Sequence, residues 1–452
     1  MARGEAVTFL CPSCGEGRLE EPRLSCLGCG KQYPTVSGIP LLFKEPREVL
    51  EVWAERLANF VRESDESTKQ LLKDAVDLGL LDRSRRRLLD TAEGLEARKE
   101  QVLSLFERAG IEPSSVHVAQ DPELESILSY FALVQRDFGW TEEDEAQASL
   151  DAVLSVFGAQ FELGRTLVLG AGTGRLAWDL GNALASKEPI LLLDINPLPF
   201  LIGEGLRRGE TIELAEIPGH PRRSDQAVIQ RRLRAPSPPP PGLRYIFADA
   251  LVPPFESGSF DTILAPWFLD QVPSNLRTML PLIRSLLRPG GSFVHFGPFV
   301  YHPKRTRPAH RYTADEFVQL LLREDFSVEK ASYEPMRYLG SPASTQSRVE
   351  YVLTLLARRV DARRTHPLIE ESDPVWFEEH ARPIPSFDVS PSFKMPHAVV
   401  RRTAELIDGT RSLSEIACLL VREGHIADDG TELTAVRACL KVLWKMRIRR
   451  TS

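Results

Sequence analysis

The stretch TLVLGAGTGRLAWDLGNALASKEPILLLD, Thr166 to Asp194, constrains this chain more than any other. A short apolar run, Thr166 to Leu169, has the length and β-branched start of a buried parallel strand. Gly170, Gly172 and Gly174 follow on alternate positions, and Leu176, Leu180 and Leu184 then recur on one helical face. A second apolar run, Ile190 to Leu193, ends in Asp194. Strand, glycine turn, helix and strand make a βαβ half-unit. Glycine there lets the backbone approach a ligand and take positive φ. A carboxylate at the end of the second strand accepts hydrogen bonds from ribose hydroxyls. The pattern points to a nucleoside cofactor and leaves open which one.

Composition bounds the rest. The chain has 452 residues, room for two to four domains. Apolar content of 42% and charge of 26% describe an ordinary globular protein. A net charge of −7 provides no global basic field, which argues against a nucleic-acid partner. MARGEAVTFLCPSC contains no long apolar segment, and no apolar run reaches membrane-spanning length. The expectation is a cytoplasmic chain without a signal peptide.

Two cofactors compete for the glycine turn. A dinucleotide fingerprint, G-x-G-x-x-G, seats a pyrophosphate on the helix N-terminus. Here the third glycine arrives one residue early and Arg175 follows. That G-x-G-x-G spacing resembles the first motif of class I methyltransferases, which bind S-adenosylmethionine. Downstream, RYIFADAL reads as a strand ending at Asp249, and FDTILAPW as another from Phe260. An amphipathic helix from about Leu276 to Leu287 leads through RPGG into the strand SFVHFGPF. This run completes the class I methyltransferase skeleton and favours S-adenosylmethionine over NAD. The fold class expected is α/β, a Rossmann-like methyltransferase sheet with helices on both faces.

Of six cysteines, Cys11, Cys14, Cys26 and Cys29 lie within the first thirty residues, and Cys418 and Cys439 near the end. Two CxxC knuckles, with Gly15 and Gly30 just after them, are the spacing of a closed tetrahedral zinc site. The competing reading is a redox or disulfide pair. Four protein ligands leave no open position, so the zinc expected is structural. The segment is too small for a core of its own, so the metal would supply much of its folding energy. QYPTVSGIPLLF then resembles the end of the small zinc-ribbon family that partners and activates methyltransferases.

Residues 46–112 are charged, Leu-rich and helical in spacing, and read as two or three amphipathic helices without legible function. Residues 121–158 read as two helices around Asp137 to Trp140, with Thr141 and Asp144 as a loose capping box. Residues 203–243 break the alternation. The run Pro238 to Pro241 reads as a spacer, and Arg222, Arg223, Arg231 and Arg232 make the segment locally basic, either for an acidic partner or as a solvated loop.

FDTILAPWFLDQ, RPGGSFVHFGPFVYH, the HPRRSDQ insertion and QRDFGW together resemble the carnosine N-methyltransferase family over roughly residues 120–358. The resemblance implies that Arg136 lies near the cofactor and that Gly170, Gly172, Gly174, Asp194, Asp249 and Pro266 hold S-adenosylmethionine. It implies also that His302 lies beside the methyl acceptor, where a histidine suits a general base, and that Asp270 borders the same pocket; the competing readings are a histidine packed at a strand end and an aspartate capping the next helix. Two strings depart from the family. Its RDW is RDF here, with Phe138, and its Tyr-rich string is STQSRVEYVLTLLARR, with only Tyr351. Methyl transfer therefore carries over further than the acceptor does.

Residues 361–394 are Pro-rich and read as a linker that could dock through Trp376 and Phe377. In the tail, DGTRSLSEIACLL reads as a turn, Ser412 as N-cap and a helix, and Thr434 to Met446 as another. Helix, turn, helix, helix resembles the PqqD-like winged helix that presents leader peptides to modifying enzymes. A DNA-binding reading has only the basic end KMRIRR in its favour. Cys418 and Cys439 read as core thiols.

The expected organisation is a zinc ribbon (1–45), a helical linker (46–115), a methyltransferase domain (116–360), a Pro-rich linker (361–394) and a winged-helix domain (395–452). The expected function is S-adenosylmethionine-dependent methylation of a small nitrogen nucleophile, imidazole-like, or of a peptide delivered by the tail. The alternative is a catalytically weak scaffold that recruits a partner or peptide through its terminal modules.

Overall fold

Four short strands open the chain: β1 (Leu19–Glu20), β2 (Ser25–Cys26), β3 (Thr35–Val36) and β4 (Ile39–Leu42). Two long helices follow, α1 (Pro46–Asp74) and α2 (Asp82–Arg108). Pro46 suits the first turn, where no backbone donor is needed. Helices α3 (Phe131–Phe138) and α4 (Glu145–Ser155) lead into the alternating region. That region runs β5 (Thr166–Leu169), α5 (Arg175–Ala183), β6 (Ile190–Asp194), α6 (Pro197–Arg207), β7 (Ile212–Glu216), β8 (Ile229–Leu233), β9 (Leu243–Ala248), β10 (Phe260–Pro266), α7 (Leu276–Leu286), β11 (Leu287–Gly297), α8 (Ala314–Arg323), β12 (Phe326–Tyr338) and β13 (Arg348–Arg359). The computed structural model describes residues 7–115, 127–140, 145–272, 275–360, 376, 380–386 and 398–445. Thr141, Asp144, Phe377 and most of the Pro-rich segment fall outside them.

The strands form a nine-stranded sheet in the order β12-β13-β11-β10-β5-β6-β9-β4-β3. Pairings from β11 through β4 are parallel; β11–β13, β13–β12 and β3–β4 are antiparallel. From β5 the chain builds outward through β6 and β9 on one side, then crosses to β10 on the other. That reversal beside β5 opens a crevice at the carboxyl ends of the strands, where doubly wound sheets bind ligands.

Alternation along each central strand feeds two cores. Val168, Leu192 and Phe247 face α1–α6 together with Trp53, Phe60, Phe106 and Trp178. Leu167, Leu169, Leu191, Leu193 and Ile246 face α7 and α8. The second core also takes in Phe9, Cys11, Leu19, Leu24 and Cys26 of the N-terminal ribbon. The ribbon is thus part of the sheet's own core. Its β4 pairs parallel with β9, Leu41 opposite Phe247 and Leu42 opposite Ala248. Leu10 N–H donates to Pro254 O at 2.9 Å, and Phe9 lies 5.9 Å from the Phe255 ring.

Sequence spacing shows no regular alternation over residues 203–243, whereas the structure folds most of them. β7 and β8 pair as an antiparallel hairpin against α2, where Gln101 Oε1 accepts Ala215 N–H at 2.8 Å. The arginines meet acids of the same segment: Arg231–Glu216 at 2.7 Å, nearly buried, Arg232–Glu213 at 3.1 Å, and Arg223 with Asp225. Three of the four arginines are thus neutralised internally, while Arg222 donates to Ser344 O at 2.8 Å. Ser237 and Pro238 accept from Asn182 on α5 at 2.8 and 3.0 Å, so the proline run lies on that helix.

The chain divides into two compact units, Met1–Arg363 and Arg364–Ser452. The second holds α9 (Ala398–Glu405), α10 (Leu413–Arg422) and α11 (Glu432–Lys445) around its own small core with Trp376 and Ile384. Ser412 caps α10 in a capping box with Glu415, as its sequence predicts. Cys418 is exposed, against the core expectation: Leu413, Ile416, Ala417 and Leu420 form the buried stripe, and residue 418 falls on the opposite side of the turn. Cys439 is half-buried. Among the described residues no helix is long and apolar enough to cross a membrane.

Candidate active site

The glycine turn ends β5 and opens α5. Gly170, Gly172 and Gly174 have φ of 62°, 57° and 81°, a region that side-chain-bearing residues rarely adopt. A Cβ on Gly170 would lie 2.2 Å from the Phe268 ring, and one on Gly174 would lie 2.5 Å from Leu192 Cδ1. Gly170 and Gly172 line a cavity of about 1120 Å³ at the carboxyl ends of the strands. Gly174 is not in its lining: it is the N-cap of α5 and packs against β6 and Tyr245.

Asp194 ends β6 in the cavity wall. Its Oδ2 accepts Gly172 N–H at 2.8 Å, and its Oδ1 accepts Ile195 and Asn196 N–H at 2.7 and 3.0 Å. The carboxylate therefore ties the second strand end to the glycine turn. Burial pushes its pKa up, against these donors, which favour the charged form. Asp249 follows β9; its Oδ1 accepts Leu251 N–H at 2.8 Å. Pro266 ends β10, and both it and Asp249 line the cavity. Arg136 lines it too, paired with Asp137 at 2.7 Å; Asp137 also accepts the Thr173 hydroxyl beside the glycine turn.

The other end of the cavity is aromatic and acidic. Trp267 stacks on Tyr338 at 4.2 Å between centroids, and the Arg348 guanidinium lies 4.3 Å from the Tyr338 ring centroid. Arg348 pairs with Glu350 at 2.8 Å. Trp267 has φ 50°, unusual for so bulky a residue and a form of strain that gathers at functional sites. Its N–H donates to Phe296 O at 2.6 Å, which holds the strained residue at the β10–β11 junction. Asp270 is 3% exposed; its Oδ2 accepts Val300 N–H at 2.9 Å and its Oδ1 accepts Gln271 Nε2 at 3.1 Å. Burial pushes the Asp270 carboxyl up to about 6. Glu350 is raised as well, first by burial.

Seven of the nine sequence-derived cofactor and acceptor residues thus share one cavity: Arg136, Gly170, Gly172, Asp194, Asp249, Pro266 and Asp270. His302 is not brought there. It is exposed on the segment after β11 and absent from the lining, although Lys304 and Arg305 of the same segment belong to it. The buried histidine nearby is His295, stacked on Phe299 in the core facing α8, where burial pushes its pKa down to about 4.

Several lining residues escaped the sequence reading. Tyr351 is 58% exposed and faces Tyr333; strand alternation turns Glu350 to the cavity instead. The aromatic partner is Tyr338, opposite Arg348 across the β12–β13 hairpin, a pairing that only the register reveals. Val49, Val52, Trp53 and Arg56 of α1 also line the cavity, far in sequence from the glycine turn.

In the ribbon, the Sγ atoms of Cys11, Cys14, Cys26 and Cys29 lie within 4.8 Å of one another, Cys11–Cys29 and Cys14–Cys26 at 3.7 Å. A tetrahedral zinc with Zn–S bonds of about 2.3 Å has S···S edges of about 3.8 Å. Backbone N–H groups of Gly28 and Cys29 point to Cys26 Sγ at 3.3 Å, as the knuckle turn requires. Size and donor chemistry fit the metal.

Residues 223–295 match the family described as a methyltransferase domain. An 89-residue stretch is 27% identical to the carnosine N-methyltransferase of Dictyostelium discoideum, 20% of this chain and 19% of that protein. The chain thus matches about a fifth of that relative's length. Among solved structures, the 1,6-didemethyltoxoflavin-N1-methyltransferase of Burkholderia thailandensis is 18% identical, with TM-score 0.32, over 55% of this chain and 95% of that one. A SAM-dependent methyltransferase of Methanosarcina mazei is 16% identical, with TM-score 0.31, over 44% and 94%. At such scores the overlays add nothing to the sheet order. The matched residues carry β9, β10, α7 and most of β11 of the Rossmann-like sheet.

Proposed function

We propose that this chain transfers the methyl group of S-adenosylmethionine to a nitrogen of a small N–H-bearing acceptor, imidazole-like, or of a peptide. One observation carries the reading. A single cavity joins a glycine turn and strand-end acids at one end to an aromatic wall with the buried Asp270 and the half-buried Glu350 at the other. Its volume of about 1120 Å³ lies just above the usual range for single-ligand pockets, room for cofactor and acceptor together.

The sulfonium supplies an activated methyl group when bound. This chain's residues do the positioning. Asp194 accepts from the ribose hydroxyls, Asp249 from the adenine amino group, and Arg136 faces the methionine carboxylate. Trp267 and Tyr338, stacked on each other, present one aromatic wall to a flat acceptor and exclude water. Asp270, mostly ionised at neutral pH, accepts the acceptor's N–H and aligns the opposite lone pair with the methyl carbon. The proton leaves to Asp270 or solvent after transfer. His302 has no place in this scheme as it stands.

We propose zinc for the four ribbon thiolates, closed and structural. The second unit, with its capped helices, would deliver or recruit a peptide.

The test is S-adenosylhomocysteine release on a panel of imidazole dipeptides and peptides, after calorimetric titration with S-adenosylmethionine. Release with one acceptor class supports the proposal. Binding without release on any acceptor would favour the scaffold, and no binding would end both cofactor and enzyme readings.

A further inference from the structure

One wall of the cavity comes from outside the methyltransferase sheet. Phe43, Val49, Val52, Trp53 and Arg56 line it, all from the end of β4 and the first turns of α1. The register explains why. β4 runs parallel to β9 with Leu42 opposite Ala248, so the chain leaves at the carboxyl edge of the sheet, level with Asp249. Helix α1 starts at Pro46 and is pinned by Trp53, buried and 4.8 Å from the Phe247 ring, and by buried Leu57 and Phe60. Positions 49, 52 and 56 then share the neighbouring stripe, one to two turns apart.

Arg56 stands out on that stripe. Its Nη1 reaches Asn196 Oδ1 at 3.4 Å, the long limit of a hydrogen bond. Its Nε is buried without a partner among the described residues. Asn196 Nδ2 in turn donates to Asp194 Oδ1 at 3.1 Å. A buried donor is expensive to leave unpaired. That Nε is closed off from the cavity, but Arg56 lines it, and its terminal guanidinium nitrogens lie one residue, Asn196, from the strand-end carboxylate, where their remaining N–H groups can meet a ligand. A ligand that presents hydroxyls there can donate to Asp194 and accept from Arg56 with the same oxygens.

We propose that Arg56 is a cofactor-binding residue that donates to the ribose hydroxyl oxygens of the bound nucleoside, so that helix α1 completes the cofactor site. The inference rests on the methyltransferase reading. It makes the region before the methyltransferase domain part of the site.

The experiment is calorimetric titration of the full, zinc-loaded chain with S-adenosylhomocysteine and its 2′,3′-dideoxy analogue. Wild type is compared with Arg56→Met, which keeps the apolar stem, and Arg56→Gln, which keeps one donor. Ligand-free melting establishes that each variant is folded. Arg56→Met should weaken S-adenosylhomocysteine by about tenfold and Arg56→Gln by less, in line with one lost charge-assisted hydrogen bond. Neither should change binding of the dideoxy analogue. Equal loss with both ligands, or no loss in two folded variants, overturns the assignment. Failure of wild type to bind S-adenosylhomocysteine instead overturns the methyltransferase reading beneath it.

Discussion

Asp270→Asn should make the protein more stable and less active at once. Burial raises the Asp270 carboxyl from 3.8 to about 6, with Glu350 adding like-charge repulsion. A folded-state value above the unfolded one means the native state holds its proton longer. Stability is then highest below about pH 4 and falls as pH rises through about 6. Two units correspond to about 3 kcal/mol, an upper bound on the cost of the charge at pH 8. Asparagine removes that charge. Its carbonyl can keep Val300 N–H, and its amide can be met by a turned Gln271 amide, since both oxygens of Asp270 now accept one bond each. Allowing for imperfect repacking, the gain is about 1–2 kcal/mol at pH 8, or roughly 1–3 °C in the first unit's transition. Scanning calorimetry at pH 4 and pH 8 reads it directly. The gap between variant and wild type should nearly vanish at pH 4. A variant that melts lower at pH 8, or a gap independent of pH, would refute the argument that ionisation of Asp270 is the costly step. In turnover the same change should cost about 10–150-fold in kcat/KM for the acceptor, the range of one hydrogen bond to a charged group.

Asp194→Ala should weaken S-adenosylmethionine at least tenfold, about 1.4 kcal/mol, by calorimetry, because it removes the proposed ribose acceptor and releases the glycine turn. Gly174→Ala should destabilise by about 1–3 kcal/mol in thermal unfolding, since φ is 81° and the new Cβ meets Leu192 and Tyr245. Metal chelation should lower the melting temperature and speed amide exchange on the Phe247–Ala248 edge of β9, because the ribbon's β4 covers it. His302→Ala should leave turnover within about twofold, as expected for an exposed residue off the cavity lining.

Local chemistry explains what could be read beforehand. The glycine turn, its flanking strands and Asp194 lie within a single βαβ half-unit, so their arrangement follows from spacing alone. The two CxxC knuckles are equally local, and their four sulfurs do converge. Ser412 as N-cap depends on three neighbouring residues and was equally plain. His302 was less secure, because its place follows from how the segment after β11 turns, which spacing does not encode. Tyr351, the one tyrosine of its string, turns outward for a related reason: which of two adjacent strand residues faces the cavity is decided by pairing register.

From its sequence alone this chain was committed to an α/β sheet, a glycine turn for a nucleoside cofactor and a four-thiolate knuckle pair, since each is specified by residues close in the chain. Three things required the tertiary structure. The ribbon joins the sheet edge through β4 and β9, partners some two hundred residues apart. Helix α1 covers the cavity because that parallel pairing aims it there. Trp267, Tyr338 and Glu350 meet Asp270 only once β10, β12 and β13 lie in register. Contacts of that span depend on the packing of both sheet faces together, and no local pattern records them.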